Sequence, residues 1–158
     1  MSTKALLLRA MLGGLAAVSG AATAQDNATK VWLNPGLYSH HFSSGNYREN
    51  NVGIGAEVML APEHGMVAGN FINSNNERSQ YGGYHWRPYH WRPGGFDVRG
   101  GLVFAMVDGY SNTNNGGWFP AVIPSLSLEY GLYGANLTFI PNSKNGSAIA
   151  LQLKLLVW

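Results

Sequence analysis

The chain has 158 residues, a formal net charge of +2, 11% charged residues, 12% aromatic residues and no cysteine. Charge this sparse, with no clustering of Lys and Arg, excludes a nucleic-acid binder. The lack of cysteine excludes disulfides, thiolate metal sites and cysteine nucleophiles.

In chain order, residues 1–25 come first. Lys4 and Arg9 form a basic head, Ala5–Leu8 and Met11–Val18 an apolar run, and Ala22-Thr23-Ala24 a small-residue end before Gln25. These are the parts of a secretory signal peptide. The run is too short and too broken by glycine to be a membrane-spanning helix. The expected division is a signal peptide over 1–24 and a single β-barrel domain over 25–158.

After Ala24 the apolar pattern is that of strands. Alternating segments separated by turn clusters lie near 30–42, 52–61, 65–74, 79–87, 95–107, 120–130, 132–141 and 146–157, which predicts an all-β fold. Eight is the smallest strand number usual for a membrane barrel, and the predicted fold class is an eight-stranded antiparallel transmembrane β-barrel. In the last segment Ile149, Leu151, Leu153, Leu155 and Val157 share one face and Ala148, Ala150, Gln152 and Lys154 the other. Period-2 alternation sends the first set toward lipid and the second toward the lumen. Tyr133, Ala135, Leu137 and Phe139 alternate in the same way with Gly134, Asn136, Thr138 and Ile140. A short turn is expected at Gly131-Leu132 and a longer one at Asn142–Gly146, with polar loops at Ser43–Asn51, Asn73–Ser79 and Asp108–Gly117. A soluble β-sandwich would also alternate, but with more surface charge than this.

Three groups of residues invite a chemical reading. The histidines are His40, His41, His64, His85 and His90. They lack the ligand spacing of a metal site, so no metal is expected. In the tandem His85-Trp86-Arg87-Pro88 and His90-Trp91-Arg92-Pro93, the arginines suit lipid phosphates. The plainer and favoured reading is an interfacial turn, with Trp at headgroup level, Arg in water and Pro ending the strand. Asn73-Ser74 sits where the third strand meets its loop. A serine there can polarise or attack an ester if a histidine reaches it, although Asn-Ser is more often plain loop chemistry.

Several motifs, in order, resemble the lipid A palmitoyltransferase (PagP) family. They are Asn34-Pro35-Gly36-Leu37-Tyr38-Ser39-His40 with Phe42, Tyr47-Arg48-Glu49-Asn50, Gly53-Ile54-Gly55, and Gly69-Asn70-Phe71-Ile72-Asn73-Ser74. Gly82-Gly83-Tyr84, Trp91-Arg92-Pro93, Pro120-Ala121-Val122-Ile123-Pro124 and Phe139-Ile140-Pro141-Asn142 follow. The resemblance spreads over 34–157. It implies a Gram-negative outer-membrane barrel that moves an acyl chain from a phospholipid to lipid A, using a histidine and an Asp-Ser pair near the extracellular rim. Proline-weakened strands in that family admit lipid sideways, and Pro35, Pro120, Pro124 and Pro141 carry that feature here.

Aligned from Pro35, the family's histidine falls on His40. Aligned from Phe42 it falls on Ser39, beside His41 on the same face, so which histidine faces the site stays open. The Asp-Ser pair falls on Asn73-Ser74, a neutral amide replacing the carboxylate. The resemblance thus implies His40, Asn73 and Ser74 as catalytic residues, with Arg48 and Arg78 pairing with lipid phosphates. Asn51 replaces a family proline, which points to closure of one lateral gap. The family's leading amphipathic helix has no counterpart between Gln25 and the first strand. Three functions follow as expectations: lipid A acyltransferase, non-catalytic lipid-binding or structural barrel, and lipid acyl hydrolase. Membrane lipids are the expected partners, no cofactor is required, and barrel closure makes a monomer the expected state.

Overall fold

The computed structural model describes residues 29–141 and 147–158. The expected signal peptide and the Asn142–Gly146 turn lie outside the described residues. Ten strand segments follow one another: β1 (Lys30–Asn34), β2 (Leu37–His41), β3 (Asn50–Asn51), β4 (Gly53–Ala61), β5 (His64–Ile72), β6 (Arg78–Trp91), β7 (Asp97–Val107), β8 (Phe119–Tyr130), β9 (Tyr133–Ile140) and β10 (Ala148–Leu156). Each pairs antiparallel with its neighbours, and β10 returns to pair with both β1 and β2, closing the sheet. β1 and β2 are two halves of one wall strand, as are β3 and β4, so the wall is an eight-stranded antiparallel barrel.

The first wall strand breaks because Pro35 offers no ladder donor and Gly36 adopts φ +96°. That conformation favours glycine, and a Cβ there would press on the Asn51 carbonyl at 3.0 Å. Short connections lie at one end of the barrel, including the two-residue Gly131-Leu132 turn between β8 and β9. The connections over 42–49, 73–77 and 108–118 lie at the other end.

The barrel is polar inside and apolar outside. Ile54, Met66, Phe104, Val122, Leu126, Leu137, Leu151 and Leu153 are exposed on the outer face, whereas Glu57, His85, Arg87, Ser127, Asn136 and Lys154 are buried in the lumen. An outer surface this apolar is at home in hydrocarbon. The predicted alternation of β9 and β10 is the one observed: Asn136, Ala148, Ala150 and Lys154 face inward, Leu137, Phe139, Leu151, Leu153 and Leu155 outward.

One stretch corrects the sequence reading. Pro88 does not end the strand, because β6 runs on to Trp91. Register with β7 shifts between Trp86 and Tyr89, so Arg87 and Pro88 together oppose the single residue Gly101. The extra residue in this bulge inverts the facing of everything after it. His85 and Arg87 point into the lumen, while Tyr89 and Trp91, of the same sequence parity, lie exposed outside and stack on each other. Arg87 therefore does not stand in water; it is 2% exposed. The two copies of the repeat differ in setting: Arg87 is buried against Glu129, whereas Arg92 is largely exposed.

Charged groups fill the lower lumen. Lys154 Nζ lies 3.1 Å from Glu57 Oε2 and 2.7 Å from Glu129 Oε1, and 4.7 Å from the centre of the Trp32 ring. Arg87 Nη1 lies 2.5 Å from Glu129 Oε1 and 3.7 Å from Glu57 Oε1. Two carboxylates thus share two cations, and Asn136 donates to Glu57 at 3.2 Å. Removing one member leaves uncompensated buried charge. Lys154→Ala is expected to cost about 3–5 kcal/mol, measured as a loss of unfolding free energy in urea with the protein in lipid vesicles.

Candidate functional site at the rim of the lumen

A cavity of about 620 Å³ extends from the long-loop end down to Glu57, His85 and Asn136. Its middle is mostly apolar, walled by Val67, Phe71, Val103, Ala105, Val107, Ile123 and Ile140. Polar groups gather at its mouth: Ser39, His41, Tyr47, Asn51, Ser74, Tyr110 and Asn112. An apolar shaft under a polar collar suits an amphipathic ligand with its chain inside and its head at the rim.

The two histidines of the His40-His41 pair point to opposite sides of the wall, as period-2 alternation requires. His40 is on the outer face, its side chain 56% exposed, with Nδ1 3.1 Å from Glu49 Oε1. Glu49 also accepts from the Tyr38 hydroxyl at 2.7 Å. That hydrogen bond, with help from His40, holds the Glu49 carboxyl below the usual carboxylate range against a smaller opposing effect of burial. His41 lines the cavity and stacks on Tyr47 with ring centres 4.2 Å apart. Its Nδ1 is buried and has no hydrogen-bond partner among the described residues.

Ser74 lines the same cavity, with its hydroxyl near that of Tyr110. Burial pushes the Tyr110 phenol up to about 12, so it keeps its proton at any physiological pH. The Ser74 carbonyl accepts from the Arg48 N–H at 2.9 Å, which ties the loop carrying Tyr47 to the loop carrying Ser74. The structure thus gathers His41, Tyr47, Ser74 and Tyr110 around one mouth and leaves His40 outside. Alternation narrows the choice to one histidine of the pair, but which one faces in depends on the Pro35–Gly36 break, a matter of three-dimensional register. Tyr110 sits in a loop among other turn-forming residues and carries no sequence signal.

Asn73 is wholly buried and fully engaged in structure. Its Nδ2 donates to Ser79 Oγ at 3.0 Å and to the Gly109 carbonyl at 2.8 Å, and its Oδ1 accepts from the N–H groups of Asn75 and Glu77. It ties the loop over 73–77 to the loop over 108–118. Arg48 is likewise engaged, with Nε on the Asn50 carbonyl at 2.6 Å and Nη1 on Asn76 Oδ1 at 3.1 Å. Arg78 is exposed at the start of β6.

No family model matches the chain. It is 30% identical over 109 residues to a protein of Pantoea ananatis (strain LMG 20103) named lipid A acyltransferase PagP. The match covers 65% of this chain and 56% of that protein, so the chain spans little more than half the length of that relative. The closed barrel and this similarity together support a PagP-like barrel.

The prolines fall at breaks and seams in such a wall. Pro35 occupies the β1–β2 break, and Pro141 follows the end of β9. β8 pairs with β7 without interruption past Pro120 and Pro124, but with β9 only from Ser125–Thr138 downward. Above that pair, Phe119–Pro124 have no partner on β9, and Pro120, Val122 and Pro141 line the cavity. Pro120 and Pro124, which lack a donor, thus lie along a stretch of β8 that is not paired with β9. On the opposite flank Asn51 accepts from Ser39 Oγ at 2.7 Å and donates to the Ile72 carbonyl at 2.9 Å, while β2 pairs with β3. Those contacts knit together the wall around the first break.

Asn73→Asp would replace both amide donors with an oxygen that faces the Gly109 carbonyl. The expected cost is about 1–3 kcal/mol, together with faster proteolytic cleavage within 108–118.

Proposed function

We propose that the protein is a PagP-like enzyme of the Gram-negative outer membrane that transfers an acyl chain from a phospholipid to lipid A. The observation that carries this reading is the Nδ1 of His41, without a hydrogen-bond partner among the described residues, at the mouth of an apolar shaft that the Ser74 and Tyr110 side chains also line. A buried imidazole nitrogen with no partner costs stability unless a ligand or substrate supplies one.

In this reading the acyl chain lies among Val67, Phe71, Val107 and Ile123, with the ester at the collar. The phospholipid enters between β8 and β9. A lipid A hydroxyl oxygen attacks the ester carbonyl while His41 Nδ1 takes its proton. The hydroxyls of Ser74 and Tyr110 donate hydrogen bonds to the developing oxyanion. The carbon–oxygen bond to the glycerol then breaks, and His41 returns the proton to the departing lysophospholipid. Asn73 acts as a positioning residue through its hold on the loops, and Arg78 is placed to meet an anionic headgroup. If water takes the acceptor's place, the same residues release a free fatty acid, which is the hydrolase outcome.

Mass spectrometry of lipid A and phospholipids from cells producing the intact protein tests the reading. Lipid A gaining one acyl mass is the expected result, with the gain falling at least about 100-fold in His41→Ala and persisting in His40→Ala. Unchanged lipid A from a folded barrel would defeat the transferase. Lysophospholipid with unchanged lipid A would identify a hydrolase, and no lipid change at all would leave a binding or structural barrel.

A further inference from the structure

At the lower end of the cavity, well below the rim, lies a second constellation that the proposed acyl transfer does not use. His85 Nε2 is 2.8 Å from Ser125 Oγ, and His85 Nδ1 is 2.9 Å from Glu57 Oε1. A hydroxyl, an imidazole and a carboxylate are thereby joined in sequence through opposite nitrogens of one ring, the arrangement by which a serine is activated for attack. All three come from strands of the wall, β8, β6 and β4, and all are buried. Lys154 and Asn136 hold the other oxygen of Glu57, at 3.1 and 3.2 Å. The carboxylate is therefore fixed in orientation.

Access distinguishes this cluster from a histidine merely satisfied within a packed interior. His85 and Glu57 line the cavity. Ser125 belongs to the Ser125–Thr138 pair, the first below the stretch of β8 that is not paired with β9. Ser125 is 8% exposed, and both its hydrogen-bond partner His85 and its strand partner Thr138 line the cavity. Thr138, directly across, gives its hydroxyl only to the Ala150 carbonyl at a long 3.4 Å, and can turn to donate to an oxyanion.

We propose that Ser125, His85 and Glu57 form a second nucleophilic site, inside the barrel, that takes short, uncharged carboxylic esters. Short, because the site lies at the closed end of the cavity. Uncharged, because the two carboxylates and two cations there already balance, and a further charge would be buried unpaired. Ser125 Oγ forms a bond to the ester carbonyl carbon as its proton passes to His85 Nε2. The alcohol leaves with that proton, and a water molecule, losing a proton to His85, hydrolyses the acyl-serine to a carboxylic acid and the free serine. The site is independent of the rim chemistry, so either can fail without the other.

The test uses the full chain folded in detergent micelles and a small alkyl fluorophosphonate, with the adduct located by peptide mass spectrometry. The expected result is an adduct on Ser125, formed about 100-fold faster or more than in His85→Gln, together with hydrolysis of p-nitrophenyl acetate that Ser125→Ala abolishes. Ser125→Ala removes only one oxygen, and its folding is checked by the heat-dependent shift in electrophoretic mobility. No adduct on the folded protein, an adduct on Ser74 alone, or equal labelling in His85→Gln would each overturn the proposal.

Discussion

Lys154 held between Glu57 and Glu129 is the constraint on which the rest of the barrel depends. A soluble domain is held by an apolar core, but this wall turns its apolar side chains outward, where lipid solvates them as well as a core would. What remains to discriminate the closed barrel from misregistered alternatives is the matching of charges inside. Glu57 on β4, Arg87 on β6, Glu129 on β8 and Lys154 on β10 come from alternate strands around the wall. A slip of one residue in any of them sends a charge into hydrocarbon and leaves its partners unpaired. The network is thus better understood as a device for register than as a store of stability.

The same network divides the lumen. Above it the cavity is open and largely apolar, ready for a chain, and it narrows to polar groups at Glu57, His85 and Asn136. Tyr81, on β6, reaches between Gly55 and Gly69, where a Cβ at Gly55 would lie 2.3 Å from the tyrosine hydroxyl. The absence of side chains at those positions lets the ring lie against the wall and leaves the shaft above it clear.

Much of the fold is legible in the sequence because an alternating pattern facing two unlike solvents leaves little choice. The segments of β9 and β10 show it most plainly, since Leu137, Leu151 and Leu153 have no alternative to the outer face. Legibility ended where one residue more or fewer decides the facing. The tandem repeat over 85–93 looks like two copies of one interfacial turn, yet β6 continues through the bulge at Arg87-Pro88, with His85 and Arg87 buried in the lumen. The candidate site shows the same limit. Ser74 could be singled out by its setting, but the inward facing of His41 rests on the break at Gly36, and Tyr110 is brought to the mouth by Asn73 bonds to a distant loop. The Ser125–His85–Glu57 chain spans partners 28 and 40 residues apart, and no local motif announces it.

The bulge has a further consequence for how such a wall can change over generations. In most of a barrel, loss of one strand residue is ruinous, since every side chain beyond it changes solvent. Arg87-Pro88 opposite Gly101 is where that accounting has already been altered by one, just before the outward-facing pair Tyr89 and Trp91. Deleting Pro88 alone would restore plain pairing of Arg87 with Gly101 and leave both rings facing outward, since their partners on β7 would not change. The bulge is thus a place where the wall can shed one residue without any side chain beyond it changing solvent, a freedom that regularly paired stretches of the same strand lack.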